Sequence, residues 1–423
     1  MSKQTLAQKL LAAASGRAAV QVGEILTCRV DLAMFHDSSG PRRLAPMLEA
    51  LGTGLWDRDK VVLVMDHYVP EADDESRRIV RIARDWAREQ ALPHVYDSMG
   101  ICHVVVPEHG HIRPGMFCVG GDSHSPTGGA FGAYMFGIGS TEMLGVVASG
   151  EIWVQVPQTL AMRWDGRLRA GVTAKDMALA MIGRFGMNGG RYQAVEFCGE
   201  AVRALSMQER MTLSNMSAEL GSQVGLVAPD QTTLDYLHAA GVAGARELEL
   251  AHWRTDADAE VELHAFDADT LAPQVAAPHS PANAAPVGDY PPTPIQAGYI
   301  GACTGAKLED LRAAAEVLKG RRVAGGVTLM VAPASRRDQR QAQEEGVMDV
   351  LVQAGAQVLP TSCGACSGYG GSIPEGANVI STTARNFKGR MGSETAQVYL
   401  ASPYSVAAAA LTARITDPRE VLA

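Results

Sequence analysis

The chain has 423 residues, 47% of them apolar and 20% charged, with a formal net charge of −9. This describes a folded protein of more than one domain, not a disordered or collagen-like chain. The acidic balance argues against nucleic-acid partners, and seven cysteines are too few for a disulfide framework. No apolar run reaches the ~18–20 residues of a membrane span, so a reducing cytoplasm is the expected setting.

The opening MSKQTLAQKLLAAASGR sets Leu6, Leu10 and Leu11 at helical spacing, with Lys9 interrupting the apolar part. It reads as an amphipathic helix rather than a signal peptide. KVVLVMDH follows as an apolar run with a polar exit, then ESRRIVRIARDWAREQ with Ile79, Ile82, Ala83 and Trp86 on one helical face. HVVVPE and MFCVGGDSH read as two further short strands with polar exits. This alternation predicts an α/β domain with a largely parallel sheet, in which ligands collect at the carboxyl ends of strands. Asp66–His67 and Asp122–Ser123–His124 stand at such ends.

From Trp164 to Asp267 a second α/β unit is expected. TAKDMALAMIGRFG has Thr173 as N-cap and Gly186 as stop, Ser206 and Glu209 form a capping box, and EVELHAFD alternates like a strand. Ala272–Pro294, rich in Pro and Ala, reads as a linker. A third unit follows, with a strand in AGYIGACTG, a helix in KLEDLRAAAEVLKG and a strand in GVTLMVAP. The expected domains are 1–165, 166–290 and 291–423.

Cys363 and Cys366 form a C-x-x-C pair in PTSCGACSGYGG, and Cys303 stands upstream in GACTGAKLED. Three thiols leave several readings open: small buried hydrophobes, as expected for Cys28, Cys102, Cys118 and Cys198; zinc, which usually takes four ligands; a redox pair; or an iron–sulfur cluster. A 4Fe–4S cluster normally takes four thiolates; three would leave one iron free to act as a Lewis acid. The glycines of TGGAFGAYMFGIGS lack the lysine and spacing of a phosphate loop. His94, His109, His111, His238, His252 and His264 read as ordinary surface or core histidines.

The segments around these residues resemble the aconitase superfamily and, within it, the large-subunit family of 3-isopropylmalate dehydratases, in the short, archaeal and homoaconitase-like form. The resemblance covers nearly the whole chain. It is carried by GDSHSPTGGAFGAYMFGIGSTEM, GACTGAKLEDLRAAAEVLKG, SCGACSGYGG, TTARNFKGRMGS, LSNMSAELGS, PHSPANAAPV and CRVDLAMFHDSSGP. It implies three α/β domains around a central cluster site, without the swivelling fourth domain of single-chain aconitases. Cys303, Cys363 and Cys366 would ligate a 4Fe–4S cluster with one iron not held by protein. His67, paired with Asp66, would be the acid to a departing hydroxyl. His103 with Asp122, and His124 with Glu219, would form two further pairs. Asn215, four residues before Glu219, would share its face if the segment is helical. His36, Ser123, Asn215, Arg385 and Arg390 would contact substrate or cluster.

The resemblance further implies a hydro-lyase acting on a small 2-hydroxy di- or tricarboxylic acid. A separate small subunit would supply the swivelling domain, with its base and a substrate-binding arginine. No nucleic-acid or membrane partner is expected. Two positions depart from the family pattern, Gly305 and Ala384, where the family usually has Asn, and Lys307 replaces a frequent Arg. These fit a paralogous dimethylmalate, citraconate or maleate hydratase as well as a leucine-pathway enzyme. A non-catalytic, cluster-sensing relative is the competing reading from another class.

Overall fold

The computed structural model describes residues 3–369 and 373–422; Met1, Ser2 and the Gly370–Gly371 end of the second cysteine segment lie outside the described residues. The first helix spans Leu6–Ala14, closed at its start by a Thr5 capping box, and it buries Leu6, Leu10 and Leu11. Strands follow in the order β1 (Ile25–Arg29), β2 (Leu32–His36), β3 (Val61–Met65), β4 (His94–Asp97), β5 (Phe117–Gly120), β6 (Tyr134–Gly137) and β7 (Glu151–Gln155). β1 and β7 pair antiparallel, and the other five form a parallel sheet in the order β4-β3-β2-β5-β6. β3 is buried along its whole length, which explains its unbroken apolar run.

β8 (Thr159–Asp165), β9 (Ala194–Cys198), β10 (Val224–Val227) and β11 (Glu262–Asp267) form a second parallel sheet, ordered β10-β9-β8-β11. The helix Ala174–Phe185 begins on a Thr173 cap and ends at Gly186. The helix Met207–Met216 begins on the Ser206–Glu209 capping box.

β12 (Gln274–Ala276), β13 (Ala284–Pro286), β14 (Ala297–Ile300), β15 (Thr328–Val331), β16 (Gln357–Val358), β17 (Asn378–Ser381) and β18 (Gln397–Ala401) form the third sheet, in the order β13-β12-β18-β17-β14-β15-β16. The stretch read as a linker therefore supplies the last two strands at one end of this sheet, with β13 at the edge. Its residues Gln274, Val275 and Ala276 are buried, and β12 pairs antiparallel with β18. The second sheet thus begins with β8 and the third with β12.

HVVVPE is not a strand. It lies in the helix Cys102–Glu108, every residue of which is buried. Burial on all sides removes the alternation that would separate helix from strand, and β-branched valines then favour the wrong choice. The helix is pinned at its start by the Cys102 N–H, which donates to Asp66 Oδ2 at 2.7 Å.

At its other end the Glu108 carboxyl accepts from Ser335 Oγ at 2.6 Å. Burial, then the nearby Asp338, pushes Glu108 up to about 8. A raised folded-state value means that stability is fully present below the ordinary carboxyl range and is lost as pH rises through about 8. Glu108→Gln, neutral throughout, is expected to match the wild type near pH 5 and to exceed it above pH 8 by on the order of a few kcal/mol. Denaturant unfolding at the two pH values checks this; parallel pH dependences would refute it.

The glycine-rich segment after Asp122 forms a 3-10 helix over Ser125–Phe131. A Cβ on Gly129 would collide with the carbonyl oxygen of Gly225, next to the start of β10. These glycines serve close packing between the first and second sheets.

Candidate active site

Two of the sheets deliver polar residues where their strand order reverses. In the first, β2, β3 and β4 run to one side and β5 and β6 to the other, so the reversal lies between β2 and β5. His36 ends β2, Asp66 and His67 follow β3, and Asp122 follows β5. In the third sheet the reversal lies between β14 and β17; Cys303 follows the first of these and Arg385 the second. Loops leaving the strands at such a point diverge and open a crevice.

Three histidine–carboxylate contacts stand in the site, each at 2.7 Å: His67 Nδ1 with Asp66 Oδ1, His103 Nε2 with Asp122 Oδ1, and His124 Nε2 with Glu219 Oε1. Asp122 is their hub. Its Oδ1 also accepts from the His124 N–H at 2.8 Å, and its Oδ2 lies 3.6 Å from His36 Nε2 and 3.9 Å from His67 Nε2. The His36 and His67 rings stack, with centroids 3.8 Å apart. Burial alone would disfavour a charged His67. The charge of Asp66, its hydrogen bond, and then Asp122 and Asp37 outweigh that and hold the ring up at about 9. Burial likewise opposes charge on Asp122, but His103 above all holds it well below the usual carboxylate range.

Asp37 was not anticipated. It is fully buried and fastens the turn that carries the first pair, its Oδ1 accepting from the His67 N–H at 3.1 Å and its Oδ2 from the Tyr68 N–H at 2.8 Å. Its only sequence signal was its place beside His36 at a strand end.

Asn215 and Glu219 do not share a helix, because the helix ends at Met216. They diverge to different partners. Asn215 Nδ2 donates to Cys303 Sγ at 3.2 Å and to Thr127 Oγ1 at 2.8 Å. Glu219 also receives Arg385 Nε at 3.0 Å, while Arg385 Nη1 donates to Ser123 Oγ at 3.0 Å. His124, Glu219 and Arg385 thus tie the three sheets together.

The three thiols of Cys303, Cys363 and Cys366 are buried and unbridged. Cys363 N–H donates to Asp66 O at 2.9 Å, which joins the cysteine loop to the first histidine pair. Arg390 Nη2 lies 4.0 Å from Cys366 Sγ. The hydrogen bond from Cys363, opposed by burial and aided by Arg390, lowers Cys366 to about 5. Among the described residues, the buried Tyr299 hydroxyl and Arg390 Nε have no hydrogen-bond partner, and both lie within the electrostatic reach of these thiols. The three buried thiols lie within one another's electrostatic reach, with N–H donors beside Cys303 and Cys366, and this donor set fits a metal–sulfur group. The other histidines stay outside this set: His94, His109 and His111 gather around Tyr96. Cys28, Cys102 and Cys118 are buried, and Cys198 half-buried.

Gly305 and Ala384 flank the same region. A Cβ at 305 would collide with the Thr382 side chain, whose Oγ1 accepts from the Gly301 N–H at 2.8 Å. Ala384 is buried.

Comparison with known proteins gives the chain's family and fold. The model of the "Aconitase family (aconitate hydratase)" matches residues 8–413. The 3-isopropylmalate dehydratase large subunit 1 of Methanopyrus kandleri is 43% identical over 422 residues, covering 99% of this chain and 100% of that protein. The probable methanogen homoaconitase large subunit of Methanothermobacter thermautotrophicus is 39% identical over 427 residues, covering 99% of each. In fold, the chain is similar to the crystal structure of Thermococcus kodakaraensis aconitase X in its holo-form, with a TM-score of 0.50 and 14% identity over 87% of this chain and 88% of that one. A family match across residues 8–413, and relatives 43% and 39% identical over almost their whole length, place this chain in the aconitase family.

Proposed function

We propose that the chain is the catalytic large subunit of an iron–sulfur hydro-lyase that removes water from, and returns it to, a small 2-hydroxy di- or tricarboxylic acid. The observation that carries this reading is the junction of the buried cysteine loop with a histidine held charged: the Cys363 N–H donates to Asp66 O at 2.9 Å, and Asp66 pairs with His67. Family membership implies a 4Fe–4S cluster. Cys303, Cys363 and Cys366 would hold it, and when bound it supplies a Lewis-acidic iron without a protein ligand.

The chain's own residues then divide the remaining work. His67, protonated up to about 9, gives its Nε2 proton to the departing hydroxyl, so that it leaves as water. Asp66 fixes the ring and its tautomer through Nδ1. Arg385 and Arg390 offer guanidinium groups to substrate carboxylates. His36 and Ser123 line the polar side, and Asn215 orients the Cys303 sulfur. The His103–Asp122 and His124–Glu219 pairs keep the remaining rings oriented.

The relatives are named large subunits, which supports a small-subunit partner for this chain. That partner would bring the swivelling domain, with the base that takes the proton from the adjacent carbon and a further arginine. Free thiols suit a reducing compartment such as the cytoplasm; among the described residues, no helix is long and apolar enough to cross a membrane. The relatives' names favour 3-isopropylmalate as substrate. Gly305 and Ala384 support a second reading, a dimethylmalate, citraconate or maleate hydratase, because two amide side chains are missing beside the thiols.

A panel of these hydroxy acids, followed through the absorbance of the unsaturated acid, tests the function. The reconstituted chain is expected to turn over one of them with the small subunit, and to lose at least ~100-fold without it, as for the loss of a catalytic base. Full turnover by the chain alone would refute the partner's role. Silence on the whole panel in its presence would refute the hydro-lyase reading.

A further inference from the structure

Lys175 lies in the first turn of the helix Ala174–Phe185 and is 1% exposed. Its ammonium donates to Thr383 O at 2.8 Å, Thr382 O at 3.0 Å and Thr304 Oγ1 at 3.3 Å. All three acceptors are neutral. The neighbouring Asp176 is turned to other partners, accepting from the Gln274 N–H and the Thr173 N–H at 2.8 Å each. Lys307 shows the contrast. It is equally buried, but its ammonium meets Asp310 Oδ2 at 2.9 Å, besides Thr212 Oγ1 and Cys303 O.

A buried ammonium without a carboxylate in contact is costly, so it needs negative charge nearby. The ammonium reaches Thr304, the residue after Cys303, and an ionised Cys303 would hold it charged most strongly, with Asp310 and Cys366 behind it and the charge of Lys307 opposed. Burial drags the lysine down to about 8 while these groups work to keep it charged. Its contacts also fall on the two loops that follow β14 and β17, those carrying Cys303–Thr304 and Thr382–Arg385.

We infer that Lys175 is a positioning residue: its buried ammonium is the counter-charge to the cluster held by Cys303, Cys363 and Cys366, and it latches the second unit onto both loops that build that site. This rests on the cluster reading above. A fixed positive charge in a low-dielectric interior favours electron addition to a nearby cluster and strengthens the hold of the protein on an anionic one.

The test uses the full chain, anaerobically reconstituted, as wild type, Lys175→Met, Lys175→Gln and Lys175→Arg. Iron and sulfide are counted, the one-electron midpoint potential of the cluster is titrated by electron paramagnetic resonance, and the melting of each cluster-free chain is recorded. Loss of the charge is expected to shift the oxidised-to-reduced ratio at a given potential at least tenfold towards oxidised, a fall of 59 mV for a one-electron couple. Both neutral variants should show it, and the arginine variant should return most of the way. Gln keeps donors for the carbonyls and so separates charge from latch.

A neutral variant with wild-type potential overturns the inference. So does a chain in which both neutral variants fail to fold without cluster while the arginine variant folds, because the ammonium would then serve the fold alone. A wild type that assembles no cluster would instead overturn the underlying functional reading.

Discussion

Serine in place of Cys303, Cys363 and Cys366 together will leave a folded chain that binds neither iron nor acid-labile sulfide, where the reconstituted wild type is expected to bind about four of each. The thiols form no disulfide, so no covalent staple is lost with them. Serine is close in size, and the donors nearby, Asn215 Nδ2 and Arg390 Nη2, suit an oxygen as well as a sulfur. The backbone bond from the Cys363 N–H to Asp66 O does not depend on the side chain. What disappears is the thiolate, the ligand that soft iron–sulfur chemistry requires. Turnover should fall below detection while the melting temperature of the cluster-free chain stays near that of the cluster-free wild type. Iron analysis beside a melting curve reads both. A triple variant that keeps its iron would assign the ligands elsewhere, and one that unfolds would make the thiols structural.

Asp66→Asn should cost ~10²–10⁴-fold in turnover, the range spanned by positioned acid–base groups. Asn keeps the size of the side chain and one acceptor for the Cys102 N–H, which now donates to Oδ2 at 2.7 Å. It removes the charge that, after burial is overcome, lifts His67 to about 9. The sign follows from that lift. The stabilisation from a charged His67 is fully present below its ordinary value of about 6.5 and is lost as pH rises through about 9. In the wild type, the alkaline limb of the rate profile should therefore lie near 9. In the variant it should move towards or below 6.5, and the stability gained below pH 9 should shrink. Rate profiles of kcat/KM from pH 5 to 10 check this. An unchanged alkaline limb would remove His67 from the role of acid.

The parts of this site that could be read in the sequence are those whose local signal survives burial. KVVLVMDH announces both a buried strand and its polar exit, because the apolar run stops abruptly at a charged pair. The Thr173 and Ser206 caps are legible because capping is local chemistry between residues three apart. HVVVPE is not, since a helix buried on every side carries no periodicity. Gln274–Ala276 and Ala284–Pro286 are strands of three residues, too short to alternate, and their alanines and prolines mimic a linker. Buried lysines escape for a different reason: Lys175 and Lys307 look like surface residues until the fold encloses them. Asp37 escapes because three of its four acceptor contacts are to backbone N–H groups of a turn distant in sequence. The cysteines and histidines were visible as residue types, but their company came from the family resemblance, not from spacing.

The chain of contacts from His124 through Glu219 to Arg385 has a consequence for how the protein is made. A ribosome releases these residues in that order, so the first unit emerges with His124 lacking both its carboxylate and the guanidinium behind it. The two cysteine loops emerge between Glu219 and Arg385, and Cys363 must find the Asp66 carbonyl across most of the polypeptide. A cluster held by all three thiols could form only after Cys366 has emerged. A stalled nascent chain ending before β14 would present the histidine-bearing half without any of the three cysteines.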